Sequence, residues 1–146
     1  MEVRPISDPF PVWDRIKTRM QDQSGNLTTE GRFYGVFDDE KMAGAFLVKP
    51  WSTYCLELHG GVHPDYFGQG IEICRLMGLA LFRGTPCLKI VCIVPEFNRL
   101  MIRCLEKNGM KREGRIKDSF LKWMKLHDMI IFGISKTEVP ECHPQQ

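Results

Sequence analysis

The stretch VHPDYFGQG, residues 62–70, joins a strand-like run to a helix-like run and decides the fold. The run before it, TYCLELHGGV at residues 53–62, is rich in strand-forming residues and ends in Gly60 and Gly61. The glycine pair predicts either a bulge or a close approach of two backbones. The run after it, residues 71–83, is apolar apart from three charged side chains, which predicts a helix covered on most sides.

Strand and helix patterns also alternate on both sides of this unit. A nearly continuous apolar run at residues 87–94 predicts a strand buried on both faces. Apolar residues at helical spacing from Phe97 predict a helix that ends at Asn108 and Gly109. The other predicted elements are a first helix capped by Ser7 or Asp8 and strands over residues 1–6, 32–37, 43–48, 115–121 and 129–135. This order predicts a single α/β (α+β) domain.

The composition is that of one soluble domain. The chain has 146 residues, of which 43% are hydrophobic and 26% charged, and its formal net charge is +2. These values exclude a coiled coil or a collagen, and the charge is too small for a dedicated nucleic-acid binder. Residues 1–30 are charged throughout and carry no signal-peptide pattern, and the apolar-rich residues 71–82 are too few to span a bilayer. We therefore expect a cytoplasmic enzyme or binding module without a membrane partner.

The spacing of cysteines and histidines predicts no metal site and no disulfide scaffold. None of the six cysteines forms a CxxC pair, and five of them lie in predicted strands and helices. None of the four histidines has a ligand-like spacing to Cys or to a carboxylate. We expect reduced core thiols and no bound metal.

Three stretches resemble the GCN5-related N-acetyltransferase (GNAT) superfamily. They are EVRPIS at residues 2–7, VHPDYFGQG at residues 62–70, and CLEKNGMKREGRIKDSF with HDMIIFGI at residues 104–120 and 127–134. The resemblance implies a GNAT-like domain over residues 1–135, followed by a flexible polar tail at residues 136–146. It implies a central, twisted, mixed sheet, mostly antiparallel and of about six or seven strands, with helices on both faces. It also implies acetyl-coenzyme A (acetyl-CoA) as cofactor.

The resemblance places the cofactor at the turn before the helix at residues 71–83. In the family, backbone N–H groups of this turn bind the pyrophosphate, since unpaired N–H groups at a helix N-terminus suit an anion. The family pattern is Arg or Gln, two residues, Gly, one residue, then Gly or Ala. Mapped here, only Gly70 matches, because Phe67 and Glu72 occupy the outer positions. The implied cofactor-binding residues are Val62, Phe67, Gly68, Gln69, Gly70, Ile71, Glu72 and Asn98, with binding weakened by Phe67 and Glu72.

Two interpretations of Glu72 stay open. It can turn outward and pair with Arg75 at i+3, which leaves the amides of Gly68 and Gly70 free to bind the cofactor. Alternatively, its carboxylate fills the anion site as a helix-start stabiliser worth about 0.3 to 1 kcal/mol. In that case it repels phosphate, and acetyl-CoA binding is weak or lost.

Amine acetylation needs a base, an oxyanion donor and a proton for the leaving thiolate. The resemblance implies that the backbone N–H of Val62 is the oxyanion donor. Glu57 and His59 share one face of their strand because strand side chains alternate, so either can relay a proton through water. The alternative is that they are cross-strand surface partners. The acid tyrosine of many family members falls on Leu105, which is in phase with the apolar stripe and is expected to pack in the core.

Asn98 matches a family position beside the pantetheine arm, but Asn is also a common residue at helix starts.

A further feature is a basic segment at residues 103–125, with eight basic and three acidic residues. It can meet an acidic partner or a nucleotide phosphate, or it can be a solvated basic face.

Two functions follow from the resemblance. The first is an acetyl-CoA-dependent N-acetyltransferase that acts on a primary amine, in a small molecule or at a protein N-terminus. The second is a catalytically degenerate GNAT-fold binding or assembly protein with a structural protein partner. Some phage-encoded members, including head-assembly proteins, resemble this chain in size and in such losses. The expected location is the bacterial or phage-infected host cytoplasm, and a homodimer is compatible with both functions. The polar loop at residues 21–30 carries no pattern that names the acceptor.

Overall fold

The structure is a computed structural model that describes residues 1–20 and 31–144, without the side chains of residues 16–20. The segment at residues 21–30, predicted as a loop or a short frayed helix, lies outside the described residues. The elements of the described part are β1 (Glu2–Ile6), α1 (Phe10–Met20), β2 (Arg32–Asp38), β3 (Lys41–Pro50), β4 (Cys55–Val62), a 3₁₀ turn (Pro64–Gln69), α2 (Gly70–Gly84), β5 (Lys89–Pro95), α3 (Arg99–Lys107), β6 (Lys111–Lys122), β7 (Lys125–Ser135) and two short 3₁₀ turns (Lys136–Glu138 and Pro140–Cys142).

The strands form one mixed sheet in the described part of the chain. Its order is β1-β2-β3-β4-β5-β7-β6, and every neighbouring pair is antiparallel except β4 and β5. Parallel strands need a crossover connection, and α2 supplies it. Parallel pairing joins only three residue pairs, from Cys55 with Lys89 to Glu57 with Val91. Beyond Glu57 the two strands pair with their outer neighbours, so a V-shaped opening lies between their C-terminal ends. The predicted fold class is confirmed.

Helices cover both faces of the sheet. On one face, α1 buries Val12 and Trp13 against Ala45 and Leu47 of β3. Asp8 caps this helix, since its Oδ1 accepts a hydrogen bond from the Phe10 N–H at 3.0 Å. On the other face, α2 and α3 cover the main core with side chains that include Ile73, Met77, Phe82, Ile102 and Leu105. Leu105 is 5% exposed, so its prediction as a core residue is confirmed.

The glycine pair at the end of β4 marks a close approach. β4 pairs with β3 in continuous register from Leu56 to Val62, so the bulge alternative is not what the structure shows. A Cβ on Gly60 would lie 2.3 Å from the Phe46 ring and 2.6 Å from the Ala45 carbonyl oxygen. Only glycine lets these two strands keep their spacing here.

The β6–β7 hairpin is longer and tighter than the sequence predicts. The connection predicted around Trp123 and Met124 is a two-residue turn between the paired residues Lys122 and Lys125. Both turn residues have a positive φ, 54° and 57°. Turns of this hand match the twist of a hairpin but usually carry Asn and Gly, which is why the sequence did not indicate one.

The segment after β7 has packed structure as far as Cys142. Ser135 and Glu138 form a capping box around the first short 3₁₀ turn. Val139 and Cys142 pack against the main core. The polar sequence of the tail does not indicate this packing, and the flexibility of the tail stays a prediction.

Candidate functional site

A cavity of about 460 Å³ lies between the sheet, α2 and α3. At the V-shaped opening its walls include Leu58, His59 and Gly60 of β4 and Val94 of β5. These walls are mostly apolar, with a few polar groups at defined places, as is usual for small-molecule sites. The cavity therefore reaches the point where parallel pairing between β4 and β5 stops.

Glu57 and His59 form a hydrogen-bonded pair at this opening. The Nε2 atom of His59 lies 2.7 Å from the Oε2 atom of Glu57. Glu57 is 8% exposed, whereas the His59 ring is half-buried and lines the cavity. The hydrogen bond from His59 lowers the pKa of Glu57 more than burial raises it, so the carboxylate is ionised at neutral pH.

The alternative, that these residues are surface partners of residues across the strand, does not describe Glu57, because its carboxylate is buried, although Lys49 lies opposite it on β3 and helps to lower its pKa. The cross-strand neighbours of Glu57 and His59 on β3 are Lys49 and Leu47. The two residues are instead neighbours along one strand, and the carboxylate is buried rather than at the surface.

Glu72 pairs with Arg75 on the outer side of α2. The guanidinium donates to both carboxylate oxygens, at 2.8 Å from Nε and 2.7 Å from a terminal nitrogen. This pair lowers the pKa of Glu72. The cavity lining, taken over the described residues, includes Arg75 but neither Glu72 nor Phe67, and Phe67 is 43% exposed. Of the two interpretations of Glu72, the outward ion pair is the one that the structure shows.

The amides of the glycine turn are only partly available. Residues Pro64–Gln69 form a 3₁₀ turn, in which Tyr66 N–H donates to His63 O at 2.8 Å and Gly70 N–H donates to Phe67 O. The expectation that the Gly70 amide is free is therefore wrong, because its N–H donates to the carbonyl oxygen three residues earlier, as in any 3₁₀ turn. A Cβ on Gly68 would meet nothing within 4 Å, so the turn is open to solvent at that residue.

A scan against family models and a search of curated proteins found no match. Solved structures do match. A spermidine N-acetyltransferase chimera from Vibrio cholerae is 14% identical with a TM-score of 0.72, over 94% of this chain and 98% of the other. A ribosomal-protein alanine acetyltransferase from Vibrio fischeri is 13% identical with a TM-score of 0.71, over 97% and 94%. A GNAT family acetyltransferase from Elizabethkingia anophelis with acetyl-CoA bound is 15% identical with a TM-score of 0.70, over 92% and 97%.

The chain has the GNAT fold. The match extends over nearly the whole of each protein, so the resemblance in three short stretches is part of a resemblance in complete topology. Identities this low show a shared fold, and function has to be argued from the site.

The GNAT fold brings some of the predicted site residues to the cavity and leaves others outside it. His59 and Asn98 line it, and Glu57 lies directly behind His59. Asn98 also caps α3, because its Oδ1 accepts from Met101 N–H at 3.3 Å, so the helix-start role is confirmed. The lining within residues 31–144 does not include Val62 or the turn residues Phe67, Gly68, Gln69, Gly70, Ile71 and Glu72.

The sequence missed several cavity residues. Cys74 and Arg75 come from α2, and Lys107 and Asn108 come from the end of α3. Asn108 Nδ2 donates to the carbonyl oxygens of Ile71 and Cys104, at 3.1 and 2.9 Å, and so ties α3 to the first turn of α2. Asn108 was predicted only as a helix end, and one sequence carries no signal for this second contact.

Much of the basic segment is paired within the molecule. Arg115 contacts Glu96 at 3.0 Å and Asp128 at 2.7 Å. Arg112 contacts Glu106 at 3.3 Å, and Lys111 contacts Glu138 at the same distance. These partners reduce the charge that the segment offers to an acidic ligand.

In the described ranges, no helix is long and apolar enough to cross a membrane, and no group of three metal-ligating side chains comes together.

Proposed function

We propose that this chain is an acetyl-CoA-dependent N-acetyltransferase that acts on a primary amine in the cytoplasm. The observation that carries the proposal is the Glu57–His59 pair, which lies where the cavity meets the V-shaped opening of the sheet. Acetyl-CoA-binding neighbours share this fold, and two neighbours are named for the amines of spermidine and of an alanine. The acceptor class follows from them by analogy.

The cavity fits the pantetheine arm of acetyl-CoA better than it fits the phosphates. Leu58 and Val94 give the opening apolar walls, and Asn98 adds an amide beside them. At the turn, the side chain of Phe67 is uncharged, Glu72 is an anion, and the guanidinium of Arg75 is held by Glu72. We therefore expect binding through the arm, with a smaller contribution from the phosphates than in proteins that carry the full glycine pattern.

His59 is the proposed base, and Glu57 is the residue that positions it. The ionised Glu57 fixes Nε2 of the ring as the protonated nitrogen, so Nδ1 is left to take a proton. His59 then removes the proton of the ammonium group through a water molecule, and Glu57 stabilises the imidazolium that results. Acetyl-CoA, when bound, supplies the thioester that the free amine attacks. The Val62 backbone N–H remains the proposed oxyanion donor.

Calorimetric titration and a thiol-release assay test this proposal. We expect saturable acetyl-CoA binding, and thiol release when spermidine or a peptide with N-terminal alanine is added. His59→Ala should lower kcat by about 10²-fold or more, the usual contribution of a general base, and should leave acetyl-CoA affinity unchanged. Glu40→Gln, an exposed substitution in the β2–β3 turn, is the matched control and should leave both values unchanged.

The degenerate binding protein is the second candidate, and one observation favours it. The Gly70 amide, central to the family pattern, is bonded inside its own turn. The three neighbours are described as acetyltransferases, so they do not support a phage assembly role. If titration shows no heat at millimolar acetyl-CoA, the enzyme proposal fails and the second candidate stands. A homodimer would be compatible with either candidate.

A further inference from the structure

Two cysteines on different helices meet at the first turn of α2. The Sγ atom of Cys104, on α3, donates to the Gly70 carbonyl oxygen at 3.4 Å. In an α-helix that carbonyl also accepts the N–H of the residue four positions later, which is Cys74. The two thiols are therefore neighbours, and each shifts the pKa of the other: Cys74 lowers the pKa of Cys104, and Cys104 raises the pKa of Cys74.

The neighbouring Cys74 thiol and Asn108 amide favour the thiolate of Cys104, whereas its own bond to the Gly70 carbonyl oxygen and its burial favour the thiol. The Nδ2 atom of Asn108 lies 3.8 Å from the Cys104 sulfur, so two donors, the Cys74 thiol and the Asn108 amide, are directed at one sulfur atom. These hydrogen bonds lower the pKa of Cys104, whereas donation to Cys104 raises the pKa of Cys74. An attacking thiolate beside a protonated thiol is the arrangement that oxidisable cysteine pairs use.

The cavity gives a small oxidant access to the Cys74 side of this pair. Cys104 is 8% exposed, but Cys74 is only half-buried and forms part of the cavity wall. The other core thiols are less suited to react. Burial raises the pKa of Cys92 to about 12, and Cys87 donates to the Lys89 carbonyl oxygen at 3.1 Å, with its pKa also raised by burial.

We propose that Cys74 and Cys104 form an oxidisable dithiol site that hydrogen peroxide converts to a disulfide between α2 and α3. The Cys104 thiolate attacks one peroxide oxygen, so that an S–O bond forms, the O–O bond breaks, and hydroxide leaves and takes up the proton of the Cys104 thiol. The Cys74 sulfur then attacks the Cys104 sulfur, the S–O bond breaks, and the departing hydroxide takes the Cys74 proton. Two thiols and one peroxide thus give one disulfide and two waters. The site does not depend on acetyltransferase activity.

Peptide mapping of the intact chain tests the site. The reduced protein is treated with a small excess of hydrogen peroxide, free thiols are blocked with iodoacetamide, and the protein is digested under non-reducing conditions. We expect the mass to fall by two hydrogen atoms, four cysteines to be alkylated, and the cross-linked peptides to join Cys74 to Cys104. A cross-link between Cys55 and Cys87, or sulfinic acid without a cross-link, would overturn the proposal.

Single variants separate the roles of the two thiols. Cys74→Ser should stop at a sulfenic acid on Cys104 that dimedone traps, whereas Cys104→Ser should leave Cys74 reduced under the same treatment. Cys142→Ser is the matched control and should cross-link at the wild-type rate. Circular dichroism identifies variants that fail to fold, for which Cys74→Ala and Cys104→Ala replace the serine variants. Equal cross-linking or equal sulfenic acid formation in all folded variants would contradict the assignment.

Discussion

At the scale of single residues, the site depends on how burial and a hydrogen bond act on one carboxylate. A glutamate that is 8% exposed would ordinarily favour its neutral form. The 2.7 Å contact with His59 reverses this preference and lowers the pKa of Glu57. Glu57 is consequently a poor base and a good partner for an imidazolium, which is why we assign the proton to His59.

The lowered pKa of Glu57 predicts how the stability of Glu57→Gln depends on pH. A carboxyl whose pKa is lower in the folded state stabilises the protein above its unfolded value of 4.5, and this stabilisation is lost as pH falls through the folded pKa. We expect the variant to lose about 1.5 to 3 kcal/mol at pH 7, the range for a hydrogen bond to a charged group, and to match the wild type at the acid end. Urea unfolding across this range measures it. A constant difference at every pH would contradict the prediction.

At the scale of elements, the turns show where local sequence signals hold and where they fail. The Asp8 cap and the glycine approach at Gly60 follow residue preferences, and both were predictable. The hairpin turn at Trp123 and Met124 goes against preference, since neither residue favours a positive φ. The Trp123 ring packs 4.8 Å from the ring of Phe97, a long-range contact that helps to hold the turn and that no local rule predicts.

The strained turn predicts that Met124→Gly stabilises the protein. Met124 is 87% exposed, so its removal costs little packing, whereas glycine adopts the observed φ of 57° without strain. We expect a gain of about 1 kcal/mol in the free energy of unfolding, measured in urea. Met124→Ala is the matched control, because it removes the side chain but keeps the Cβ that causes the strain. A gain of the same size with alanine would assign the effect to the side chain instead.

At the scale of the whole molecule, the order of elements was readable from the sequence and the boundaries of the site were not. Apolar periodicity placed α2, β5 and α3, and the resemblance placed them in one GNAT-like domain. The cavity, however, is formed by residues far apart in the chain, such as His59, Arg75 and Asn108. Their convergence depends on helix packing, which leaves no pattern in a single sequence. The packing of Val139 against strands and helices that precede it leaves no pattern in the sequence for the same reason.

Packing of the tail predicts that a chain ending at Ser135 is less stable. The truncation removes the core contacts of Val139 and Cys142 and the Glu138 side of the capping box. We expect the free energy of unfolding to fall by about 2 kcal/mol, because two half-buried side chains lose their contacts. The melting temperature should fall by about 5 °C. A chain ending at Pro144 is the control and should melt with the wild type. If both chains melt together, the contacts of the tail contribute nothing to stability.

The three parallel residue pairs between β4 and β5 also divide the sheet mechanically. On one side lies an antiparallel unit of β1 to β4, and on the other lies the unit of β5, β7 and β6. A seam this short is the weakest line through the hydrogen bonds of the sheet. Because one hydrophobic core spans both units, we expect them to hinge about the seam rather than to unfold separately. Small rotations about the seam would change the width of the opening beside His59 while each unit keeps its own hydrogen bonds. The gap at which we propose that a ligand enters would then also determine where the molecule bends.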